Sequence, residues 1–296
     1  MSEDEFALFL GCTIPVRCLG YETATRRVAE ELGIKLVDLN FSCCGYPLKQ
    51  VDVVTAKSIA TANLALAESK NLNILTICSA CTGTLTDASV NRENPVGEKV
   101  KKEVEKQGLS YNGSIWVKHF VRYLYEDYGV DKIRGHVKTP LKNLRIAIHY
   151  GCHYLRPSDI YDEFDDPEHP KSVKEIIEAL GATVVDYAGE LDCCGGGTLT
   201  FDQKLGATLA KKKLDNVKKA DVDALVLFCP FCSIMYDGHQ RFIEDQFECE
   251  PYNIPVLFLP QLMGLAFGID PVELGFDYNK VDVQPLLDKI GEKGVS

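Results

Sequence analysis

The sequence predicts an α/β protein made of two tandem copies of one domain. Each copy is expected to hold a mainly parallel sheet with flanking helices and a metal site at the C-terminal ends of its strands. Three observations carry this expectation. Ten of the 12 cysteines fall into one ordered pattern that occurs twice. The apolar text around each pattern repeats with it. Strand-like and helix-like runs alternate along both halves, as in sheets built from βαβ units.

Cys12, Cys43-Cys44-Gly45 and Cys78-Ser-Ala-Cys81 form the first copy of the pattern. Cys152, Cys193-Cys194-Gly195 and Cys229-Pro-Phe-Cys232 form the second. The gaps between cysteines are 30 and 33 residues in the first copy and 40 and 34 in the second. Only Cys18 and Cys249 stand outside. Cys18 has no counterpart, because Ser158 occupies the matching offset, and Cys249 lies between two glutamates in a charged segment.

Taken in order, Phe6–Leu10 is an apolar strand leading into Gly-Cys, and Leu32–Leu39 is a strand before the first Cys-Cys-Gly. Asp52–Ser69 carries Ala56, Ala60, Leu64 and Ala67 at helical spacing, and Asn73–Ile77 is a strand entering Cys-x-x-Cys. Glu98–Lys106 is a mixed-charge helix with a solvated face. The second half repeats the order. Leu144–His149 is a strand, as is Ala182–Tyr187. Gln203–Lys219 is a helix with Leu205, Leu209, Leu214 and Val217 on one face, and Asp223–Phe228 is a strand before Cys-x-x-Cys. His119–Asp131 and Phe258–Asp270 both end in Gly, an aliphatic residue and Asp. Tyr154–His169, with six acidic residues and two prolines, is expected to be an exposed loop. Lys138–Lys142 marks the junction, so the expected domains are 1–140 and 141–296.

Composition narrows the function. The chain has 296 residues, 46% hydrophobic and 25% charged, with a net charge of −11. That charge argues against nucleic-acid binding and against docking on an anionic membrane. No apolar run approaches the roughly 20 residues needed to span a bilayer. Met1–Glu5 lacks the basic start of a secretory signal, so a cytoplasmic address is expected. In a reducing compartment clustered cysteines act as metal ligands or redox groups rather than disulfides.

Cys12, Cys78, Cys152 and Cys229 are expected directly after strands, where open α/β sheets bind their ligands. The i, i+3 spacing of each Cys-x-x-Cys puts both thiols on one face of a helix's first turn, beside free N–H groups. Adjacent cysteines are poor disulfide partners. Consecutive Cα atoms lie about 3.8 Å apart, against roughly 4.4–6.8 Å in a relaxed disulfide. Five thiols per half exceed the four of a tetrahedral zinc site or an ordinary cubane cluster. A zinc site using four of the five, a dithiol redox site and plain buried thiols stay open on these residues alone.

With its Cys-Cys-Gly repeats and the texts Phe-Leu-Gly-Cys-Thr-Ile-Pro (9–15), Cys-His-Tyr-Leu-Arg-Pro (152–157) and Cys-Pro-Phe-Cys (229–232), the sequence resembles the tandem CCG-domain family, the B-type subunits of heterodisulfide reductase. The resemblance covers nearly the whole chain. It implies two non-cubane [4Fe-4S] clusters, one on Cys12, Cys43, Cys44, Cys78 and Cys81, the other on Cys152, Cys193, Cys194, Cys229 and Cys232. It also implies reductive cleavage of the coenzyme M–coenzyme B heterodisulfide between them. Implied partners are the reductase's cubane iron–sulfur subunit and its flavin subunit, with a hydrogenase or formate dehydrogenase module upstream. Zinc in one half is an alternative. An electron-relay subunit of a lactate-, glycolate- or succinate-oxidising complex and a non-catalytic zinc scaffold are competing functions. The implied substrate is anionic, so Arg17, Lys49, His153 and Arg156, each shortly after a cluster cysteine, are its candidate contacts. His is also the natural proton donor to new thiols. His149 is expected either at the site or packed in the core.

Overall fold

The computed structural model describes residues 5–199 and 201–291. The acidic Met1–Asp4 stretch, on which the expectation about export partly rested, lies outside the described residues. Among the described residues eight strands form two four-stranded sheets. In the first are β1 (Glu5–Phe9), β2 (Lys35–Val37), β3 (Asn73–Thr76) and β4 (Val117–His119). In the second are β5 (Arg145–His149), β6 (Thr183–Val184), β7 (Ala224–Leu227) and β8 (Val256–Phe258). The orders are β2-β1-β3-β4 and β6-β5-β7-β8, and every pairing is parallel. The expected α/β architecture with two like sheets is what the chain adopts.

Central strands read as continuous apolar runs because helices cover both faces of a parallel sheet. β7 is buried at all four positions and β1 at four of five. The edge strands are shorter than their apolar runs suggested. Leu32 already closes the helix Leu19–Glu31, and β2 pairs with β1 over three residues only. β6 pairs with β5 over two.

Matching helices follow each Cys-Cys-Gly. Val53–Glu68 starts at Asp52, whose carboxylate accepts from Val54 and Thr55 N–H groups, both at 3.1 Å. Gln203–Lys219 starts at Asp202, which accepts from Leu205 N–H at 2.9 Å. These caps hold the helix start immediately beyond the cysteine turn.

The order of strands places the chemistry. In each sheet the strand order switches direction between the two central strands, β1/β3 and β5/β7, and Cys12, Cys78, Cys152 and Cys229 follow the C-terminal ends of those four. A crevice at such a switch point is where doubly wound sheets bind ligands. The two halves share one core, in which Tyr21 stacks on Phe258 with ring centroids 4.0 Å apart. The 154–169 segment departs from the expected exposed loop. Tyr154, Leu155, Ile160 and Tyr161 are buried, and the Asp165 carboxylate accepts from Ser172 and Lys171 N–H groups. Its aromatic and aliphatic side chains pack down, while half of its residues, Arg156, Asp159, Asp162 and Glu163 among them, stay exposed. Among the described residues no helix is long and apolar enough to cross a membrane.

Candidate metal centre

The Cys-Cys-Gly turns depend on glycine. Gly45 and Gly195 have φ of +89° and +79°. A Cβ there would meet a backbone carbonyl oxygen at 2.3 Å (Ala56) or 2.4 Å (Gly206). With no side chain, the turn drops against the following helix and its amides face the sulfurs. Gly45 N–H donates to Cys43 Sγ at 3.4 Å, Gly195 N–H to Cys193 Sγ at 3.3 Å and Gly196 N–H to Cys194 Sγ at 3.3 Å. Cys78 caps the helix Ser79–Val90 and Cys229 caps the short helix Pro230–Ser233, which brings Cys81 and Cys232 into first turns.

The ten repeated thiols form one unbroken series of side-chain interactions. In spatial order it runs through Cys12, Cys43, Cys44, Cys81 and Cys78, crosses to Cys229, and continues through Cys232, Cys194, Cys193 and Cys152. Its middle is buried, while Cys12 and Cys193 near its ends are exposed. The neighbouring Cys81, Cys232 and Cys152 thiols hold Cys44, Cys229 and Cys193 respectively below their usual range. The same neighbours and burial push Cys78, Cys81, Cys232, Cys194 and Cys152 up. Thiols packed this tightly cannot all ionise unless cations join them. Five converging thiols per half, amide donors on the sulfurs and helix N-termini beneath them fit a multi-metal thiolate cluster.

The crossing point is fixed by two donors from the first half onto one carbonyl of the second. Tyr21 O–H and His119 Nε2 both reach Phe228 O at 3.1 Å. His119 Nδ1 accepts from Val121 N–H, so Nε2 carries the proton. Burial lowers its pKa to about 4, keeping the ring neutral in that tautomer. Phe228 precedes Cys229, so this latch seats Cys229 against Cys78.

The four expected substrate residues take different partners, and Lys49 lies close enough to His153 for its charge to act there. His153 Nε2 lies 3.1 Å from Tyr46 Oη, a pair drawn from both halves, and its carbonyl accepts from Tyr161 O–H at 2.7 Å. Burial lowers the His153 pKa, with Cys229 and Cys193 among the nearby charges. Lys49 pairs with Asp87 at 3.4 Å. Arg156 is exposed and donates to Pro167 O at 2.6 Å. Arg17 is exposed beside Cys18, along a groove that also holds Asp237 and Lys280. Cys18 is buried, with its thiol 3.9 Å from Pro230 O and pushed up to about 12, mainly by burial. Cys249 S–H donates to Tyr252 Oη at 3.8 Å.

Sequence reasoning missed Tyr46, Tyr21 and His119. Tyr46 directly follows Cys-Cys-Gly, the one signal available. Burial raises its pKa, and thiols of both halves (Cys152, Cys229, Cys193 and Cys78) push the same way. Tyr21 and His119 act across the two halves and carry no local signature. His149 is buried and at the site, with Nε2 3.2 Å from Cys232 Sγ.

Two segments, 6–86 and 146–237, match the family model of the cysteine-rich domain CCG, and each contains one complete set of five cysteines. The chain belongs to the tandem CCG-domain family, the B-type subunits of heterodisulfide reductase and their relatives. It is 36% identical over 296 residues to the B subunit of the ferredoxin:CoB-CoM heterodisulfide reductase of Methanosarcina mazei, covering 98% of each chain. It is also 33% identical to the 8-methylmenaquinol:fumarate reductase membrane anchor subunit of Wolinella succinogenes, covering 96% of this chain and 99% of that one. A solved hypothetical protein from Helicobacter pylori shares the fold, with a TM-score of 0.78 at 17% identity. That match covers 96% of this chain and 53% of the other, so this chain spans about half its length.

Proposed function

We propose that the chain is the heterodisulfide-cleaving subunit of a reductase complex and holds two non-cubane [4Fe-4S] clusters. Cys12, Cys43, Cys44, Cys78 and Cys81 hold one, and Cys152, Cys193, Cys194, Cys229 and Cys232 hold the other. The observation that carries this proposal is the unbroken ten-thiol series meeting at Cys78 and Cys229. Clusters held by these two sets would supply the two electrons that cleavage of a disulfide to two thiols requires. The chain itself orients the substrate and supplies protons. His153 and Tyr46, hydrogen-bonded across the halves, are assigned the delivery of two protons to the product thiolates. Lys49, Arg17 and Arg156 are assigned to the anionic ends of the coenzyme M–coenzyme B heterodisulfide, each testable through the KM of its alanine variant. We divide the chain into domains 1–140 and 141–296 and place it in the cytoplasm. Electrons would come from a cubane iron–sulfur subunit, fed in turn by a flavin subunit and a hydrogenase or formate dehydrogenase module.

The likeness to the Wolinella subunit favours one second reading, a relay subunit of a quinol-linked fumarate- or succinate-active complex. Iron, acid-labile sulfide and zinc per chain, after anaerobic purification, come first. About eight iron and eight sulfide are expected for two four-iron clusters; zinc without sulfide would refute the cluster assignment. Turnover of the heterodisulfide with a reduced viologen then supports cleavage. Electron exchange with a menaquinol analogue and no heterodisulfide turnover would favour the relay.

A further inference from the structure

The two halves repeat their cysteines but not the groups behind them. Phe9 and His149 each stand three residues before the first cysteine of their set, at the end of a central strand. Their surroundings match. A Cβ built on Gly11 lies 2.9 Å from Cys81 Sγ and 3.8 Å from the Phe9 ring. One built on Gly151 lies 3.6 Å from Cys232 Sγ and 3.9 Å from His149 Nε2. The first set therefore has an aromatic carbon edge at the place where the second has a ring nitrogen, 3.2 Å from Cys232 Sγ. Donor atoms of His149, Cys194 and Cys232 all lie within 4.8 Å of one another.

A second position differs in the same direction. Asn63 and Lys213 each stand nineteen residues after the second cysteine of the Cys-Cys pair, and both are buried. Asn63 is neutral. It donates to Cys43 O at 3.0 Å and accepts from Ser42 N–H at 2.9 Å, bracing its turn. Lys213 is 2% exposed and donates to the carbonyls of Gly189 and Glu190 at 2.5 and 2.8 Å. Its charge is felt at His149, Cys232 and Cys194. Asp192 and Glu190 lie on its other side, but Asp192 pairs with Lys212 at 2.9 Å.

A sulfur bound to metal has no proton and can only accept. His149 Nε2–H is then the donor, and His149 Nδ1, buried without a partner among the described residues, is the bare nitrogen of a neutral ring. A hydrogen bond onto a ligand sulfur and a nearby buried cation both favour the more negative, reduced form of an iron–sulfur centre, which raises its potential. On the cluster assignment proposed above, we infer that the C-terminal centre has the higher reduction potential, and that His149 and Lys213 set the difference. A one-electron donor of the iron–sulfur class therefore reduces the C-terminal centre first. That step adds one electron and breaks no bond in the protein.

The test is an anaerobic dithionite titration of the whole iron-loaded chain, followed by paramagnetic resonance. Cys43→Ser and Cys193→Ser each remove one signal and so assign both. In the parent chain the C-terminal signal is expected at the higher midpoint potential. His149→Phe and Lys213→Asn, which install the first half's own residues, are expected to move only that midpoint, and to lower it. His149→Gln keeps an N–H donor and should retain much of the potential, and Phe9→His should raise the N-terminal midpoint. Parent midpoints in the reverse order, or midpoints that His149→Phe and Lys213→Asn leave unmoved at about eight iron per chain, overturn the inference alone. A chain purified without iron and sulfide overturns the cluster assignment and the inference with it.

Discussion

Replacing Gly45 with alanine tests the geometry that brings the first five thiols together. Gly45 has φ +89°, and its missing Cβ would sit 2.3 Å from the Ala56 carbonyl oxygen and 3.1 Å from the Ala56 Cα. The obstacle is helix backbone, which cannot rotate away. A left-handed conformation costs a non-glycine residue roughly 1–2 kcal/mol, and forcing atoms into a packed site costs about 1–3 kcal/mol. Together these predict a loss of about 2–5 kcal/mol. At roughly 2–4 °C per kcal/mol for a chain of comparable size, the melting midpoint should fall by roughly 4–20 °C. The Gly45 N–H donating to Cys43 Sγ moves with the backbone, so iron should fall toward half the parent value. Gly197→Ala is the control, because nothing lies within 4 Å of its built Cβ. Thermal melts and iron counts on the iron-loaded chain decide the matter. A Gly45→Ala variant within about 0.5 kcal/mol of the parent and fully loaded would refute the close packing of turn on helix.

Three other predictions follow from individual contacts. Cys193→Ser should leave about four iron with the other half folded; a full complement would remove Cys193 from the ligand set. Tyr21→Phe takes one of two donors from the Phe228 carbonyl and should cost about 0.5–1.5 kcal/mol in urea unfolding, whereas no cost would dissolve the latch between the halves. Burial alone would raise the Asp87 pKa, but hydrogen bonds from Lys57 and Asn91 outweigh it and hold the carboxyl below its usual range. Its stabilisation is therefore complete above about pH 4 and lost as pH falls through its lowered value. Asp87→Asn should flatten the acid limb of the stability curve, and an unchanged limb would show that Asp87 is not coupled to folding.

The duplicated α/β fold, the strand-to-cysteine junctions and the ten thiols were legible in the sequence, because each is a local signal. An apolar run, a helical spacing and a cysteine pattern are all contained within a few dozen residues. The Asp52 and Asp202 caps, which only the structure identified, are local in the same way, each just before a helix. What crosses between the halves was settled only by their docking. That Cys78 meets Cys229, that Tyr46 bonds to His153, and that Tyr21 and His119 share the Phe228 carbonyl depend on how two separately coded sheets come together. Side-chain direction was undecided in the same way. His149 lies on a strand, where successive residues face opposite sides, and only the placement of β7 and its following helix turned it toward Cys232 rather than a neutral core. The partners of Arg156 and Lys49, Pro167 O and Asp87, were likewise settled only by the tertiary structure, because nearness in sequence to a cysteine does not fix where a long side chain reaches.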